Sequence, residues 1–431
     1  MEISCINHEG TRDLTQLAWA IFGNSEGQIV SEKLENTVKT SVFYQGVSYE
    51  DISPYFEKND AKRSLYKCAK TIGNFDNPWG ILTGINPAKL AFEDFDKAKF
   101  MEKYMVAERQ TDLCKSVADF TKSVKVTPED MSIYIGIPFC KSKCKYCSFV
   151  SNSIDTANKY MKKYIDCLIL EIETTAKLIK NRKLRTIYIG GGTPTALDED
   201  NFERLLKAVN ENFDTSDLYE YTVEAGRVDT ITDKKLELMK AFSVDRISIN
   251  PQVFDDEVLA SIGRNHTTAE VLEVYEKARK LGFKAINMDI IYGLGGDFNG
   301  TVDKLLELAP ENITIHTLAI KKGSNIDKNY TASIGDINYF YDRIFENYQP
   351  YYMYKQQYMI KPYENVGFSR NNTECLYNVY MMENLMDILA LGSGSTSKIS
   401  GESYFNNKYP LDYINNIDNI LDKKTKILTK E

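Results

Sequence analysis

At 431 residues the chain is long enough for two or three domains and a large core, so no disulfide or metal is needed merely to keep it folded. Its formal charge of -8, from 53 Lys and Arg against 61 Asp and Glu, disfavours a partner held by nonspecific contact with a nucleic-acid backbone. No run of about 18 uncharged apolar residues offers a membrane span, and MEISCINHEGTRDLTQL lacks a basic segment followed by an apolar one. The expectation is a cytoplasmic protein with no stable membrane insertion.

In chain order, a helix is predicted over 58-73, a turn-rich stretch NPWGILTGINP over 77-87, and a charged helical stretch over 93-121. A linker near VTPED (126-130) closes an N-terminal accessory domain, 1-128. From Met131, β-rich runs at 132-137, 185-190, 219-225, 244-250, 284-293 and 312-318 alternate with helical candidates at 157-180, 199-211, 233-242, 268-281 and 301-309. Strands separated by helices predict parallel pairing with right-handed crossovers, in an open sheet or an incomplete barrel, as an α/β domain over 129-325. The remainder, 326-431, is rich in Tyr and Asn and is expected to close the substrate side. It carries helical candidates at 376-391 and 410-424 and a small-residue loop, GSGSTSK, at 392-398.

The unusual residues fall at or just beyond the C-terminal ends of these strands, the face on which parallel α/β folds build their sites. They are the loop with Cys140, Cys144 and Cys147, the GGGTP turn, Glu224, the Asn250-Gln252 stretch, Asp289 and His316. The other five cysteines, Cys5, Cys68, Cys114, Cys167 and Cys375, are scattered without a disulfide framework, as suits a reducing compartment. A structural zinc site wants four ligands, usually as two spaced pairs, and C-x3-C-x2-C has no second pair. An iron-sulfur cluster fits better, because soft thiolates suit it and one loop wraps a cubane; three ligands on four irons leave one iron open to a small molecule.

Three glycines directly after an apolar strand permit close approach, and their amides are expected to receive a polar ligand. The turn is neither G-x-G-x-x-G nor a Walker loop. Glu224 either orients a cofactor or serves as a cap or surface partner. Arg264 either clamps a carboxylate bidentately or sits in a surface ion pair. The glycines of IIYGLGGDFNG do not make a dinucleotide site, since Asp289 lies inside the strand rather than about twenty residues after it. His316 is either a packed core histidine or a site residue. Tyr352, Tyr354 and Tyr358 either line a flat ligand or pack a strand.

The chain resembles the radical S-adenosylmethionine superfamily in its C-x3-C-x2-C loop, GGGTP and α/β repeats. More narrowly it resembles the oxygen-independent coproporphyrinogen III oxidase group, and most of all the Firmicute-type coproporphyrinogen dehydrogenase branch, through IYIGIPFCKSKCKYCSF, NPWGILTG, VEAGR, INPQ, INMDIIYGL, HTLAIKKGS, ENVG and ALGSGS. The resemblance implies a radical-SAM-type incomplete parallel (β/α) barrel with N-terminal and C-terminal accessory domains. It implies a 4Fe-4S cluster on Cys140, Cys144 and Cys147 whose open iron chelates S-adenosylmethionine, which is cleaved to a 5'-deoxyadenosyl radical. Tyr146 then lies against the adenine or the cluster. Gly190, Gly191, Gly192 and Thr193 contact the methionine part, and Glu224, Gln252, Arg264 and Asp289 surround the rest, Arg264 also counting as catalytic. A tetrapyrrole with four propionates makes Arg227, Arg264, Lys321 and Lys322 candidate contacts, together with His316. Phe149 and Gly136 depart from the commoner cysteine and histidine of the group. The implied reaction is oxidative decarboxylation of coproporphyrinogen III to protoporphyrinogen IX in heme biosynthesis, fed by a low-potential donor such as flavodoxin or ferredoxin. The alternatives are a heme-binding chaperone and an anaerobic heme-cleaving methyltransferase.

Overall fold

A computed structural model describes residues 1-73, 75, 77-327, 330 and 334-429. The chain packs as two compact units. Unit 1 comprises Met1–Ser123, His316–Ser333 and Met353–Val366, and unit 2 comprises Val124–Ile315, Ile334–Tyr352 and Gly367–Glu431. The segment 326-431, expected as one piece, is thus shared between them.

In unit 1, β1 (Glu2–Ile6), β2 (Gln28–Lys33), β3 (Thr37–Tyr44) and β4 (Val47–Pro54) form a sheet in that order. β1 and β2 are parallel and the remaining pairs antiparallel. Alternate residues of β3, Val38, Thr40 and Val42, are buried, and they share a core with Leu14, Leu17 and Phe22 of α1 (Thr11–Phe22) and Leu65 and Ala69 of α2 (Lys58–Gly73). The charged stretch 93-121 is not one helix. α3 (Lys97–Tyr104) stops at Met105, whose φ of 55° is left-handed, and α4 (Glu108–Ser123) starts afresh.

The NPWG block explains that break. Asn77 caps its own turn, donating from Nδ2 to the Gly80 carbonyl (2.7 Å), and Gly80 presses on the α3 terminus so closely that a Cβ would meet Met105 O at 2.2 Å. Trp79 is fully buried, donates from Nε1 to Glu364 (2.6 Å), and offers its ring face to the Lys355 ammonium at 4.8 Å. Burial pushes Lys355 down to about 7, opposed by the Glu364 charge.

Unit 2 is built on an eleven-stranded sheet. Its strands are β5 (Asp130–Ile137), β8 (Lys183–Gly191), β9 (Glu220–Glu224), β10 (Arg246–Ser248), β11 (Ala285–Tyr292), β12 (Asn312–Thr317), β13 (Gln349–Tyr354), β14 (Asn365–Ser369), β15 (Asp387–Leu391), β16 (Thr396–Ile399) and β17 (Glu402–Phe405). The order is β13-β14-β12-β11-β10-β9-β8-β5-β15-β16-β17, an open run rather than a closed barrel. β15, β5, β8, β9, β10 and β11 are consecutively parallel. A separate pair, β6 (Phe139–Cys140) and β7 (Asn152–Ser153), closes the cysteine loop.

The helices α5 (Ile154–Leu178), α6 (Glu199–Asn212), α7 (Asp233–Ala241), α9 (Thr268–Leu281) and α10 (Phe298–Leu308) lie between strands, as expected, and a short further helix, α8 (Asp256–Ser261), precedes α9. Each opens on a Ser, Asp or Thr whose side chain accepts from a first-turn amide, with a full capping box at Thr267 and Glu270. α11 (Ile337–Ile344), α12 (Leu376–Glu383), α13 (Pro410–Asn415) and α14 (Ile417–Leu428) complete the fold.

The helix expected over 376-391 is corrected. It ends at Glu383 because Asn384 turns left-handed (φ 54°), and DILAL becomes β15, paired in parallel with β5. A strand buried on both faces reads as an apolar run, which periodicity does not separate from a buried helix. The loop expected over 392-398 likewise gives its last residues to β16, and 410-424 is two helices broken at Asn416.

The central strands have two faces. Ile133, Ile135, Ile187, Ile189, Val223, Ile247, Ile286, Met288 and Ile313 are fully buried on one. The other carries Ser132 and Tyr134, Thr186 and Tyr188, Glu220, Thr222 and Glu224, Arg246 and Ser248, Asn287 and Asp289, and Asn312 and Thr314. Bonds across it tie the strands together: Thr186 Oγ1 to Ser132 Oγ (2.8 Å), Thr314 Oγ1 to Asn287 Oδ1 (3.1 Å), and, reaching over β11, Arg246 to Asn312. Tyr134, Tyr188 and Tyr377 stack there, the last two with centroids 4.4 Å apart.

The far end of the chain is tied to unit 2 by one carboxylate. Glu171 of α5, with no exposed surface, accepts from Gly392 N (2.8 Å), Asn406 Nδ2 (2.9 Å) and Tyr413 OH (2.6 Å), and pairs with Lys424 Nζ at 2.7 Å. Glu171→Leu leaves Lys424 buried without its counter-charge and is expected to cost about 3–5 kcal/mol. Urea unfolding checks this, with Glu171→Leu combined with Lys424→Met recovering much of the loss.

Candidate functional site

The cysteine loop leaves the C-terminal end of β5. Phe139 anchors it, fully buried with its ring 5.1 Å from that of Tyr164, and Asn152 N returns to Pro138 O (2.8 Å). Cys140 and Cys144 are buried and Cys147 is half-buried. Cys147 N donates to Cys144 O (3.1 Å), turning the last two thiols together.

Two neighbouring loops grip this one. From the α8-α9 connection, Ile262 O accepts from Lys145 N (2.9 Å) and Gly263 O accepts from Ser142 Oγ (3.1 Å). From the same segment Arg264 reaches in, donating through Nη1 to Gly226 O (3.1 Å) and Asn250 O (2.6 Å) and through Nη2 to Tyr146 OH (3.0 Å). Arg264 is 5% exposed, which removes the surface ion-pair alternative, and its Nε is buried without a partner. Nη1 is committed to two backbone carbonyls and Nη2 donates to the Tyr146 hydroxyl, which leaves Nε as the donor without a protein partner. From the loop after β9, Arg227 Nη1 donates to Ser142 O (3.0 Å) and Cys144 Sγ (3.4 Å).

The glycine turn lies against the cysteine strand. A Cβ on Gly192 would meet Phe139 O at 2.6 Å and Cys140 Sγ at 2.9 Å, and Gly191 takes a φ of 115°. Two amides expected to face a ligand are already engaged, Gly191 N by Glu224 Oε2 (3.2 Å) and Gly192 N by Ile137 O (2.8 Å). Thr193 is buried, its Oγ1 3.5 Å from Cys140 Sγ.

Glu224 stands at the end of β9, accepting from Tyr188 OH (2.5 Å) as well as Gly191 N. Burial pushes its carboxyl up to about 7; the nearby Asp289 charge acts in the same direction and the Tyr188 bond against it. Asp289 is gripped by two amides, Asn250 Nδ2 on one oxygen and Asn287 Nδ2 on the other, each at 2.7 Å. Gln252 is held left-handed at φ 66° by exchanging backbone bonds with β11, to Asp289 O and from Ile291 N, while its buried Oε1 has no partner. His266, 5% exposed, has neither ring nitrogen bonded, and burial, then the Arg264 charge, holds it down at about 4.

Unit 2 therefore brings together Cys140, Cys144, Cys147, Tyr146, Gly190, Gly191, Gly192, Thr193, Glu224, Arg227, Gln252, Arg264 and Asp289. His316, Lys321 and Lys322 belong to unit 1, where His316 Nδ1 is 3.4 Å from Tyr354 OH and Ser324 Oγ donates to Lys321 O (2.9 Å). Tyr188, Asn287, Asp229 and His266 were missed from the sequence. Period-two counting back from Gly190 and Asp289 along their strands reaches the first two; Asp229 and His266 leave no periodic signal.

The residues fit a cluster with a cationic small molecule beside it. Among the described residues no three His, Cys, Asp or Glu converge as a single metal ion requires, whereas a cubane takes each thiolate on a different iron. Glu224 and Asp289, two carboxylates close enough to raise a pKa, suit an ammonium or sulfonium group. Gln252 Oε1 and Arg264 Nε are an acceptor and a donor left for a ligand.

Fold and cysteine loop define a radical SAM domain. The model of the Radical SAM superfamily matches residues 134–309. The oxygen-independent coproporphyrinogen-III oxidase-like protein HemZ of Bacillus subtilis is 33% identical over 386 residues, covering 81% of this chain and 77% of that protein. The heme chaperone HemW of Lactococcus lactis is 37% identical over 194 residues, covering 44% of this chain and 49% of the chaperone. The solved coproporphyrinogen III oxidase HemN of Escherichia coli has the same fold, with a TM-score of 0.55 at 23% identity over 79% of this chain and 76% of that one. The chain belongs to the radical SAM superfamily and, within it, to the HemZ and HemN family of oxygen-independent coproporphyrinogen III oxidase-like proteins. Its cofactors are accordingly a 4Fe-4S cluster and S-adenosylmethionine. Among the described residues no helix is long and apolar enough to cross a membrane.

Two predictions follow from this geometry. Replacing Cys140, Cys144 or Cys147 with Ala removes most of the iron and sulfide from anaerobically reconstituted protein, whereas Ser at Cys5, Cys68, Cys114, Cys167 or Cys375 leaves both near four per chain. Burial favours the neutral acid of Glu224, so its contribution to stability is full below the ordinary carboxylate range and is lost as pH rises through about 7. The cofactor-free protein is expected to lose on the order of 3 kcal/mol between pH 5 and pH 8 from this group. Melting curves of Glu224→Gln, flatter across that interval, check the assignment.

Proposed function

We propose that the protein converts coproporphyrinogen III to protoporphyrinogen IX by oxidative decarboxylation. The observation that carries this reading is the similarity to HemZ along most of both chains, joined to a cofactor site formed within unit 2. The cluster and S-adenosylmethionine would supply hydrogen-atom abstraction; each of two propionates loses a hydrogen atom to the 5'-deoxyadenosyl radical, carbon dioxide, and one electron to a separate one-electron acceptor, and becomes a vinyl group.

The protein's own residues bind and orient. Cys140, Cys144 and Cys147 hold the cluster, and Tyr146, Gly190, Thr193, Glu224, Gln252, Arg264 and Asp289 surround the cofactor. Glu224 and Asp289 take its ammonium and ribose hydroxyls, and Gln252 Oε1 and Arg264 Nε complete the cradle. The carboxylate of Asp289 is held in one rotation by Asn250 and Asn287, so no rotamer entropy is lost at the moment of binding. Lys321, Lys322 and His316 are proposed for the substrate, and a low-potential one-electron donor of the flavodoxin or ferredoxin type for the cluster.

A second reading, a heme chaperone, is favoured by the HemW relatives, although the Lactococcus match spans about half of that protein. The decisive experiment is reaction of reduced, reconstituted protein with S-adenosylmethionine and coproporphyrinogen III, followed by mass spectrometry. The expected products are a monovinyl and then a divinyl species, each step losing one carboxylate, with Lys321→Ala and Lys322→Ala weakening substrate use more than cofactor cleavage. Cofactor cleavage without decarboxylation overturns the reaction, and stable heme binding and transfer without cleavage establishes the chaperone instead.

A further inference from the structure

Arg227 is expected from the family resemblance to meet a substrate propionate, yet its donors face elsewhere. The residue is buried. Nε and Nη2 bind the two oxygens of Asp229, each at 3.0 Å, while Nη1 is shared between Ser142 O at 3.0 Å and Cys144 Sγ at 3.4 Å. The pair is almost dry, with both side chains 4% exposed.

We propose that Arg227 and Asp229 form a charge couple that sets the reduction potential of the cluster through its Cys144 ligand. Arg227 is the donor to the ligand sulfur, and Asp229 restrains that donor's charge. The proposal rests on the cysteine trio holding the cluster.

One-electron reduction adds a negative charge to the cluster and no proton. An N–H aimed at a ligand sulfur, on a group carrying a full positive charge, stabilises the reduced form more than the oxidised one and raises the potential. A carboxylate on the far side of the same guanidinium acts in the opposite sense, and at these separations and this burial neither effect is screened away. Arginine suits the position because one planar fork meets a carboxylate, a carbonyl and a sulfur together. Other charges face the couple. Lys141 lies 3.7 Å from Asp229 and is 43% exposed, Arg264 and Tyr146 also interact with Cys144, and His266 is close by. These are common to all the variants below, so differences between variants isolate the couple.

The two members are predicted to move the potential in opposite directions, which a merely structural role does not do. The test is an EPR-monitored titration with dithionite of full-length, anaerobically reconstituted protein without S-adenosylmethionine, with iron and sulfide counted in each sample. Arg227→Gln is expected to lower the reduced-to-oxidised ratio at fixed potential roughly tenfold, ~59 mV for one electron. Asp229→Asn is expected to raise the ratio several-fold, and Arg227→Lys to fall between wild type and Arg227→Gln. Potentials that stay put, or that shift the same way in Arg227→Gln and Asp229→Asn, overturn the proposal. Should Arg227→Gln lose its cluster, Arg227→Lys and Asp229→Asn decide by the same opposite signs. Wild-type protein that holds no iron and sulfide refutes the cluster itself, whereas clustered protein with unmoved potentials refutes only the couple.

Discussion

Three thiolates carried on one short loop repel one another, and the rest of unit 2 is arranged around making that loop affordable. The loop interleaves its own cations, Lys141, Lys143 and Lys145, but these are exposed at the surface. The charges that reach the sulfur come from outside the loop, on Arg227 and Arg264. Arginine serves better than lysine there because a guanidinium neutralises charge while still bonding the carbonyls that shape the turn. Gly191 and Gly192 follow from the same constraint, since a Cβ on either would run into the backbone of Ile137 or Phe139 on the way to the thiolates, while Gly190 leaves room for the Glu224 carboxyl.

The two-faced sheet is the second organising feature. Barrel interiors of this general type are commonly filled by branched apolar side chains. Here the fully buried apolar residues named above share one face of the central strands, and the opposite face carries a lattice of hydroxyls, amides, carboxylates and one guanidinium. Such a lattice is stable only where its members satisfy each other. It does so between strands, as at Thr186 with Ser132 and at Thr314 with Asn287, and the exceptions include Gln252 and Arg264 beside the cysteine loop.

Much of this was legible in the chain. The helix over 268-281, the strand ending in Glu224 and the strand carrying Asp289 announce themselves by periodicity and caps, and the cysteine spacing by its chemistry. What was not legible depends on long-range pairing. DILAL becomes a strand because β5 needs a neighbour, which no local pattern in 376-391 reveals. Arg227 looked like a free cation because sequence does not show that Asp229, two residues on, folds back onto it, nor that Ser142 and Cys144 lie against its other side. The amides of Gly191 and Gly192 looked available for the same reason: their acceptors, Glu224 and Ile137, come from other strands.

The pairing of β15 with β5 also sets a timetable. The strand that leads into the thiolates is complete early in synthesis, but its outer neighbour is made ~250 residues later, an interval on the order of tens of seconds at about 5–20 residues per second. Until then β5 has an unpaired edge next to the cysteine loop, and the residues that gather on Glu171 are not yet present. On the ribosome the cysteine loop thus emerges beside a sheet still open on one side, and the last helices seal it only after the thiols have been made.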